Sequence, residues 1–71
     1  MSEVQSVLIP RNIYTKKEAK RWIKKHKYKI KKVDITDRFY KIKISKKTFN
    51  NYQPKLLLDN SGIILLYGFN N

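Results

Sequence analysis

The chain has 71 residues, no cysteine, one histidine and a formal net charge of +12 at pH 7. A chain of this length forms one domain of marginal stability, because folding removes only about 60% of the surface that the unfolded chain exposes. Without cysteine there are no disulfides or thiolates, and one histidine cannot build the usual zinc site, so we expect no metal and no cofactor. The longest apolar run, Ile63 to Tyr67, is too short to cross a bilayer, and the start of the chain lacks a signal-peptide pattern. We therefore expect a protein that is neither secreted nor transmembrane.

The positive charge is concentrated in one segment. Between Arg11 and Lys47 lie sixteen of the seventeen Lys and Arg residues with only three acids, and the rest of the chain has a net charge of −1. Such crowding destabilises the compact state, and a polyanionic partner would relieve it. A lysine-rich composition also follows from an AT-rich genome, but that bias does not by itself confine the basic residues to one segment. The distribution favours a polyanion-binding protein.

A strand and a helix are the first predicted elements. The stretch "EVQSVLIP" predicts a strand that ends at Pro10, because proline cannot donate a hydrogen bond to a ladder. Thr15 and Glu18 have the spacing of a capping box, in which each side chain bonds the backbone of the other residue. This spacing predicts a helix from about Lys16 to His26.

The predicted helix has two different faces. At 100° per residue, Ala19, Trp22, Ile23 and His26 share one arc. Trp22 is therefore predicted to anchor the core rather than to stack on bases, and His26 to be a boundary residue rather than a catalyst. The basic residues occupy the remaining side of the helix: Lys16, Lys17, Lys20, Arg21, Lys24 and Lys25.

Two alternating segments follow the helix. In "YKIKKVDI" and "FYKIKIS" apolar or aromatic residues alternate with lysines, which is the period of a half-buried strand. Paired as a hairpin, they would have a lysine-studded outer face that is adjacent in sequence to the basic helix and is made of Lys29, Lys31, Lys41 and Lys43. The next stretch, "KKTFNNYQP", is predicted to be an irregular link, with Phe49 and Tyr52 as lids on the core.

The C-terminal stretch "KLLLDNSGIILLYGF" has two continuous apolar runs around a four-residue hairpin turn, "DNSG". Missing alternation is typical of strands that are covered on both faces, and one helix covers only one face of a sheet. Two alternatives remain open for the other face: side chains of the same chain, or a second copy or other protein partner. The residues assigned to such an interface are Leu56, Leu58, Ile64 and Leu66.

The order strand, helix, strand, strand, strand, strand predicts one small α+β domain, with a single helix packed on a mostly antiparallel sheet. Catalytic signals are weak, because the chain has no Walker loop, no Gly-rich dinucleotide turn and no nucleophile elbow. Asp34 and Asp37 flank a turn and are interpreted as turn and capping residues. We therefore expect a protein that is not an enzyme.

Nucleic acid is the predicted partner, either DNA or RNA. Lysine and arginine neutralise phosphates and release counterions without regard to sequence. Lysine greatly outnumbers arginine, so bidentate base readout is not expected. The ten residues assigned to binding are the six helix cations with Lys29, Lys31, Lys41 and Lys43. Binding of the helix to a membrane surface is disfavoured, because Trp22 is needed in the core.

Four segments, "VLIP", "TKKEAKRWIKKHKYKIKKVD", "FYKIKI" and "GIILLYG", together resemble a short basic domain that recurs in head-region proteins of tailed phages and in proteins of large DNA viruses. Lys27 stands where that pattern has glycine, and "YKIKI" replaces a more arginine-rich strand. The resemblance implies a viral origin and a virion- or genome-associated role, in the cytoplasm or the virion, and brings no catalytic residues. The alternative function is an assembly module whose C-terminal hairpin joins a viral protein partner or forms a homo-oligomer.

Overall fold

The computed structural model describes residues 2–70 as one helix and five strands. The helix α1 spans Lys16–Lys25, and the strands are β1 (Ser2–Pro10), β2 (Lys32–Ile35), β3 (Phe39–Lys43), β4 (Asn51–Leu56) and β5 (Ile64–Phe69). The predicted α+β class and the predicted order of elements along the chain are confirmed. All four neighbouring strand pairs are antiparallel, and the spatial order is β2-β3-β1-β5-β4, which differs from the order along the chain.

The helix lies on one side of this sheet. Two of its residues, Ala19 and Ile23, are fully buried and join a core cluster that includes Val7, Ile9, Ile42 and Leu65 of the sheet and Ile63, which directly precedes β5. Paired residues of neighbouring strands point to the same face, and Val7 pairs with both Ile42 and Leu65. We call this side the helix-covered face and the other side the open face.

A β-bulge explains the uneven spacing of the apolar residues in β1. Val4 pairs with Tyr67 and Ser6 with Leu66, so Gln5 is an extra residue between them. The bulge allows both Val4 and Val7 to contact the core, although three positions separate them. Gln5 and Ser6 are buried polar residues, and the Ser6 hydroxyl donates to Gln5 Oε1.

Both ends of α1 have well-formed caps. The predicted capping box is present: the Thr15 N–H donates to Glu18 Oε1 (2.9 Å), and the Glu18 N–H donates to Thr15 Oγ1 (3.1 Å). At the other end Lys27 has φ +64°, and the N–H groups of Lys27 and Tyr28 donate to the carbonyls of Lys24 and Ile23. This is a Schellman motif, whose left-handed residue is usually glycine, and it turns the chain towards β2.

Two predicted boundaries were wrong. The strand predicted from Tyr28 begins only at Lys32, because the helix cap continues to Tyr28. In the connector that follows, the Lys31 N–H donates a hydrogen bond to the carbonyl of Lys43 on β3 (2.8 Å). The link predicted over Lys46–Pro54 is irregular only to residue 50, since β4 starts at Asn51. Pro54 is accommodated because β4 is an edge strand.

A close approach at one end of the open face holds the link between β3 and β4. A Cβ atom added to Gly68 would lie 2.2 Å from the ring of Phe49, so the ring occupies the space above the glycine. Gly68 pairs with Tyr52, whose ring meets Phe49 edge to face with centroids 6.1 Å apart. Phe49 thus covers the end of the open face, instead of acting as a lid on the core beneath the helix.

Candidate nucleic-acid interface

The outer side of α1 is a continuous basic surface, which we call the helix face. Its residues are all exposed: Lys16, Lys17, Lys20, Arg21, Lys24 and Lys25. They project from this side because Ala19 and Ile23 fix the opposite side of the helix against the sheet. The ten-residue helix is about 15 Å long at 1.5 Å per residue, so these cations form a compact stripe.

None of these six cations forms an ion pair with a carboxylate of residues 2–70. The ion pairs in that part of the chain join Lys32 to Asp34 (3.7 Å) and Lys47 to Glu3 (3.5 Å), both away from the helix. The one acid of the helix, Glu18, accepts the Thr15 N–H. Hydrogen bonds from the backbone and the hydroxyl of Thr15 lower the pKa of Glu18. Glu18 is therefore ionised and engaged in the cap.

Like charges repeat along the helix face at the spacing where side chains meet. Residues four apart on a helix are neighbours, and like charges there destabilise the helix. The four such pairs are Lys16 with Lys20, Lys17 with Arg21, Lys20 with Lys24, and Arg21 with Lys25. The folded protein tolerates this repulsion, and a polyanion bound along the stripe would remove it.

Trp22 lies at the margin of the core beside the helix face. It is half-buried, contacts the core cluster, and stacks on His26 with ring centroids 3.8 Å apart. A shallow groove of about 200 Å³ beside it is lined by Tyr14, Glu18, Arg21, Trp22 and Lys25. The indole is thus partly an anchor, as predicted, and partly accessible next to two cations.

The strand lysines do not join the helix face. Lys41 pairs with Leu8, which points away from the helix-covered face, and Lys43 pairs with Ser6 on the same side. The ten residues predicted to bind nucleic acid therefore do not share one surface, because strand alternation directs Lys41 and Lys43 to the open face. Lys29 and Lys31 are exposed in the connector after the helix rather than in a strand.

Three of the four residues predicted for a protein interface share the open face. Leu56 pairs with Ile64, and Leu66 pairs with Pro54 two positions further on. Leu56 is 54% exposed, whereas Ile64 and Leu66 are half-buried. Leu58 lies in the turn between β4 and β5 and is 96% exposed, so it is not part of this surface.

Sequence reasoning missed two residues that the register reveals. Lys32 pairs with Lys43, which brings a third lysine to the open face, and Leu8 lies between Lys41 and Ile64 at its centre. The alternation of β1 contained the signal for Leu8, whereas the alternation predicted after the helix assigned Lys29 and Lys31 to an outer face and made no assignment for Lys32, where β2 begins.

Arg11 has a structural role at the end of the sheet. Its Nη1 donates to the backbone carbonyl of Thr36 (2.6 Å), and its guanidinium lies 5.8 Å from the centre of the Tyr40 ring. The Arg11 N–H also donates to the carbonyl of Arg38 (2.9 Å). These contacts hold the β2–β3 turn, so Arg11 belongs to the end of the sheet, whereas Arg21 belongs to the helix face.

Two other kinds of site are not found in the described part of the chain. Among residues 2–70 no three His, Asp or Glu side chains are close enough together to hold a metal ion. The single helix over that range, α1, is neither long nor apolar enough to cross a membrane.

Fold and surface together define a small α+β domain with a basic helix on one side of a five-stranded antiparallel sheet and an open sheet face on the other. Comparison with family models, curated proteins and solved structures finds no match. The resemblance to a phage and viral domain therefore stays a prediction.

Proposed function

We propose that this protein binds nucleic acid through the phosphate backbone, with the helix face as the contact surface. The observation that carries the proposal is the stripe of six exposed cations on one side of α1, none of which forms an ion pair with a carboxylate of residues 2–70. Phosphates would replace the missing counter-charges, and the release of counterions would drive association.

The dimensions of the helix indicate the size of the contact. Phosphates of one strand of duplex DNA are spaced about 3.4 Å apart along the axis, so a helix of about 15 Å meets roughly four of them. Five of the six cations are lysines, which act as point charges, whereas guanine is read by the planar fork of arginine. Binding is therefore expected to be independent of sequence, and both DNA and RNA are suitable ligands.

A charge reversal on the helix tests the proposal. We expect Lys20→Glu/Arg21→Glu/Lys24→Glu to weaken binding of a short oligothymidylate at least about a hundredfold at about 50 mM salt, because three attractive contacts become repulsive. Fluorescence anisotropy of the labelled oligonucleotide measures the affinity. Quenching of Trp22 emission provides a second signal, because the indole borders Arg21 and Lys25.

The matched control has the same change of net charge away from the helix. Lys46→Glu/Lys47→Glu/Lys55→Glu alters three exposed lysines and should weaken binding less than about tenfold, through the overall charge alone. Equal losses in the two variants would show that only net charge attracts the oligonucleotide, and the helix face would not be its site.

A further inference from the structure

The open face is divided into an apolar half and a basic half, and Glu3 of β1 lies at the end of the face, where it pairs with Gly68 and is 3.5 Å from Lys47. Cross-strand pairs join Leu56 to Ile64 and Ile64 to Leu8, and Leu66 lies beside them on β5. The division falls between β1 and β3, where Leu8 pairs with Lys41. The other half is formed by lysines of β3 and β2, namely Lys41, Lys43 and Lys32.

The basic half contains a repulsive contact between two lysines, of which one is paired with an acid. Lys32 and Lys43 are directly opposite each other on neighbouring strands, and like charges in this position are unfavourable. The single acid on this half is Asp34, which pairs with Lys41 and lies 3.7 Å from Lys32. Lys43 has no carboxylate of residues 2–70 within 4 Å. An acid supplied from outside would fit beside it.

The apolar half is incompletely covered. The helix packs on the opposite side of the sheet, and Phe49 covers the face only at Gly68. Leu56 is 54% exposed and Tyr52 is 43% exposed, and both belong to the edge strand β4. Apolar side chains grouped in this way on a sheet face mark an interaction surface rather than isolated exposed residues.

We propose that the open face binds an amphipathic helical segment of another protein, with an apolar stripe and an acidic stripe. Strands are spaced about 4.8 Å apart, so the distance from β3 to β5 is about 10 Å, which is close to the diameter of a helix with its side chains. A helix lying along β1 would place its apolar stripe on Ile64 and Leu66 and its acidic stripe on Lys41 and Lys43. This site is separate from the helix face, so it does not depend on the proposed nucleic-acid contact.

Charge and shape favour this occupant over two others. A second copy would bring another chain of +12 against the lysines and add no acidic stripe. A lipid surface would first contact Leu58, which is the most exposed apolar residue and lies in the turn beyond the face. An acidic amphipathic segment complements both halves at once.

The test uses a synthetic peptide designed to form a helix with leucines along one side and glutamates along the adjacent side. A peptide of the same composition in scrambled order is the control ligand. We expect the amphipathic peptide to shift the backbone amide NMR signals of β1, β3 and β5, and to bind at least about tenfold more tightly than the scrambled peptide. Equal binding of the two peptides, or shifts confined to α1, would overturn the proposal.

Variants of the protein separate this site from the helix face. Leu66→Lys should weaken peptide binding at least about tenfold and leave oligothymidylate binding within about twofold. Lys20→Glu should weaken oligothymidylate binding and leave peptide binding within about twofold. Leu56→Lys, at an exposed position of the edge strand, gives the same test if Leu66→Lys unfolds. Peptide binding that survives a folded Leu56→Lys/Lys43→Glu variant would contradict the assignment.

Two outcomes would assign the face to another occupant and overturn the proposal. One is a concentration-dependent dimer in sedimentation experiments that Leu56→Lys abolishes, which would identify a second copy. The other is binding to vesicles of anionic phospholipid that Leu58→Ser abolishes, with no preference between the two peptides.

Discussion

The helix face and the open face are both rich in lysine, but the lysines have different surroundings. On α1 they are fully exposed and their neighbours at the helical spacing are other cations. On β3 the side chains of Lys41 and Lys43 are half-buried, and their partners on β1 are Leu8 and Ser6. The first arrangement suits a flexible, fully hydrated polyanion, whereas the second suits a partner that also buries apolar surface. Net charge alone would not have distinguished these two surfaces.

The difference between the faces originates in the elements that display them. The outer side of α1 carries the six cations, because the core needs only Ala19, Ile23 and part of Trp22 from this helix. A sheet face instead combines side chains from several strands, so its composition depends on which strands become neighbours. Since β1 lies between β3 and β5, the lysines of one hairpin meet the apolar residues of the other across it.

The largest expected difference between the faces is in their response to salt. With roughly four phosphates contacted, oligonucleotide affinity should fall about 50- to 150-fold between 50 and 200 mM salt. Binding of the amphipathic peptide to the open face should fall less than about tenfold over the same range, because apolar burial is not screened. Anisotropy titrations with both ligands across a salt series would measure the two slopes.

Equal slopes would break the distinction between the faces. A steep slope for the peptide would mean that only charge attracts it, and a shallow slope for the oligonucleotide would mean that the helix face contributes little. Titrating the variant Lys20→Glu is the internal control, since it should flatten the oligonucleotide slope and leave the peptide slope unchanged.

A smaller effect is expected from Gly68, which belongs to the open face alone. In Gly68→Ala the new methyl group would meet the Phe49 ring, so either the ring moves away or β5 shifts. We expect the free energy of unfolding to fall by about 1–3 kcal/mol, measured by urea denaturation. The helix face should keep its affinity for oligothymidylate, because Gly68 and Phe49 do not contact it.

The double variant Gly68→Ala/Phe49→Ala tests the cause of that loss. If the clash with the ring is the origin, the glycine substitution should cost much less in the Phe49→Ala background. An unchanged cost would mean that the backbone of β5, and not the aromatic cover, requires glycine at this position.

Several features of the fold could be predicted from the sequence because local chemistry determines them. Thr15 and Glu18 specify the start of the helix through reciprocal hydrogen bonds between near neighbours. The turn at Asp59–Gly62 follows from residues that accept left-handed backbone, and Asn60 and Gly62 have φ of +64° and +76°. The helix face could be predicted for the same reason, since helical geometry alone places its six cations together.

The joining of lysines and apolar residues on one open face could not be predicted, because it depends on strand register and spatial order. Nothing local to Lys41 shows that Leu8 will be its partner, 33 positions earlier in the chain. Lys27 illustrates a related limit. It occupies the left-handed position of the helix cap, where a glycine would have marked the end of the helix in the sequence. Without that mark, the sequence predicts a strand from Tyr28, four residues before β2 begins.

The smallest expected effects come from relieving the repulsion on each face with one substitution. Lys20→Glu replaces two like-charge contacts, with Lys16 and Lys24, by opposite-charge ones, each worth about 0.2–0.5 kcal/mol on an exposed helix. Lys43→Glu places an acid opposite Lys32, which is worth about 0.2–1 kcal/mol across a strand pair. Both variants should therefore be slightly more stable than the parent chain in urea denaturation, although each should lose one ligand: oligothymidylate for Lys20→Glu and the acidic peptide for Lys43→Glu.

A gain in stability together with a loss of binding would show that each face retains unfavourable charge because its partner requires it. If either variant were less stable than the parent, the lysine would instead be contributing to the fold, and the repulsion on that face would have no bearing on binding.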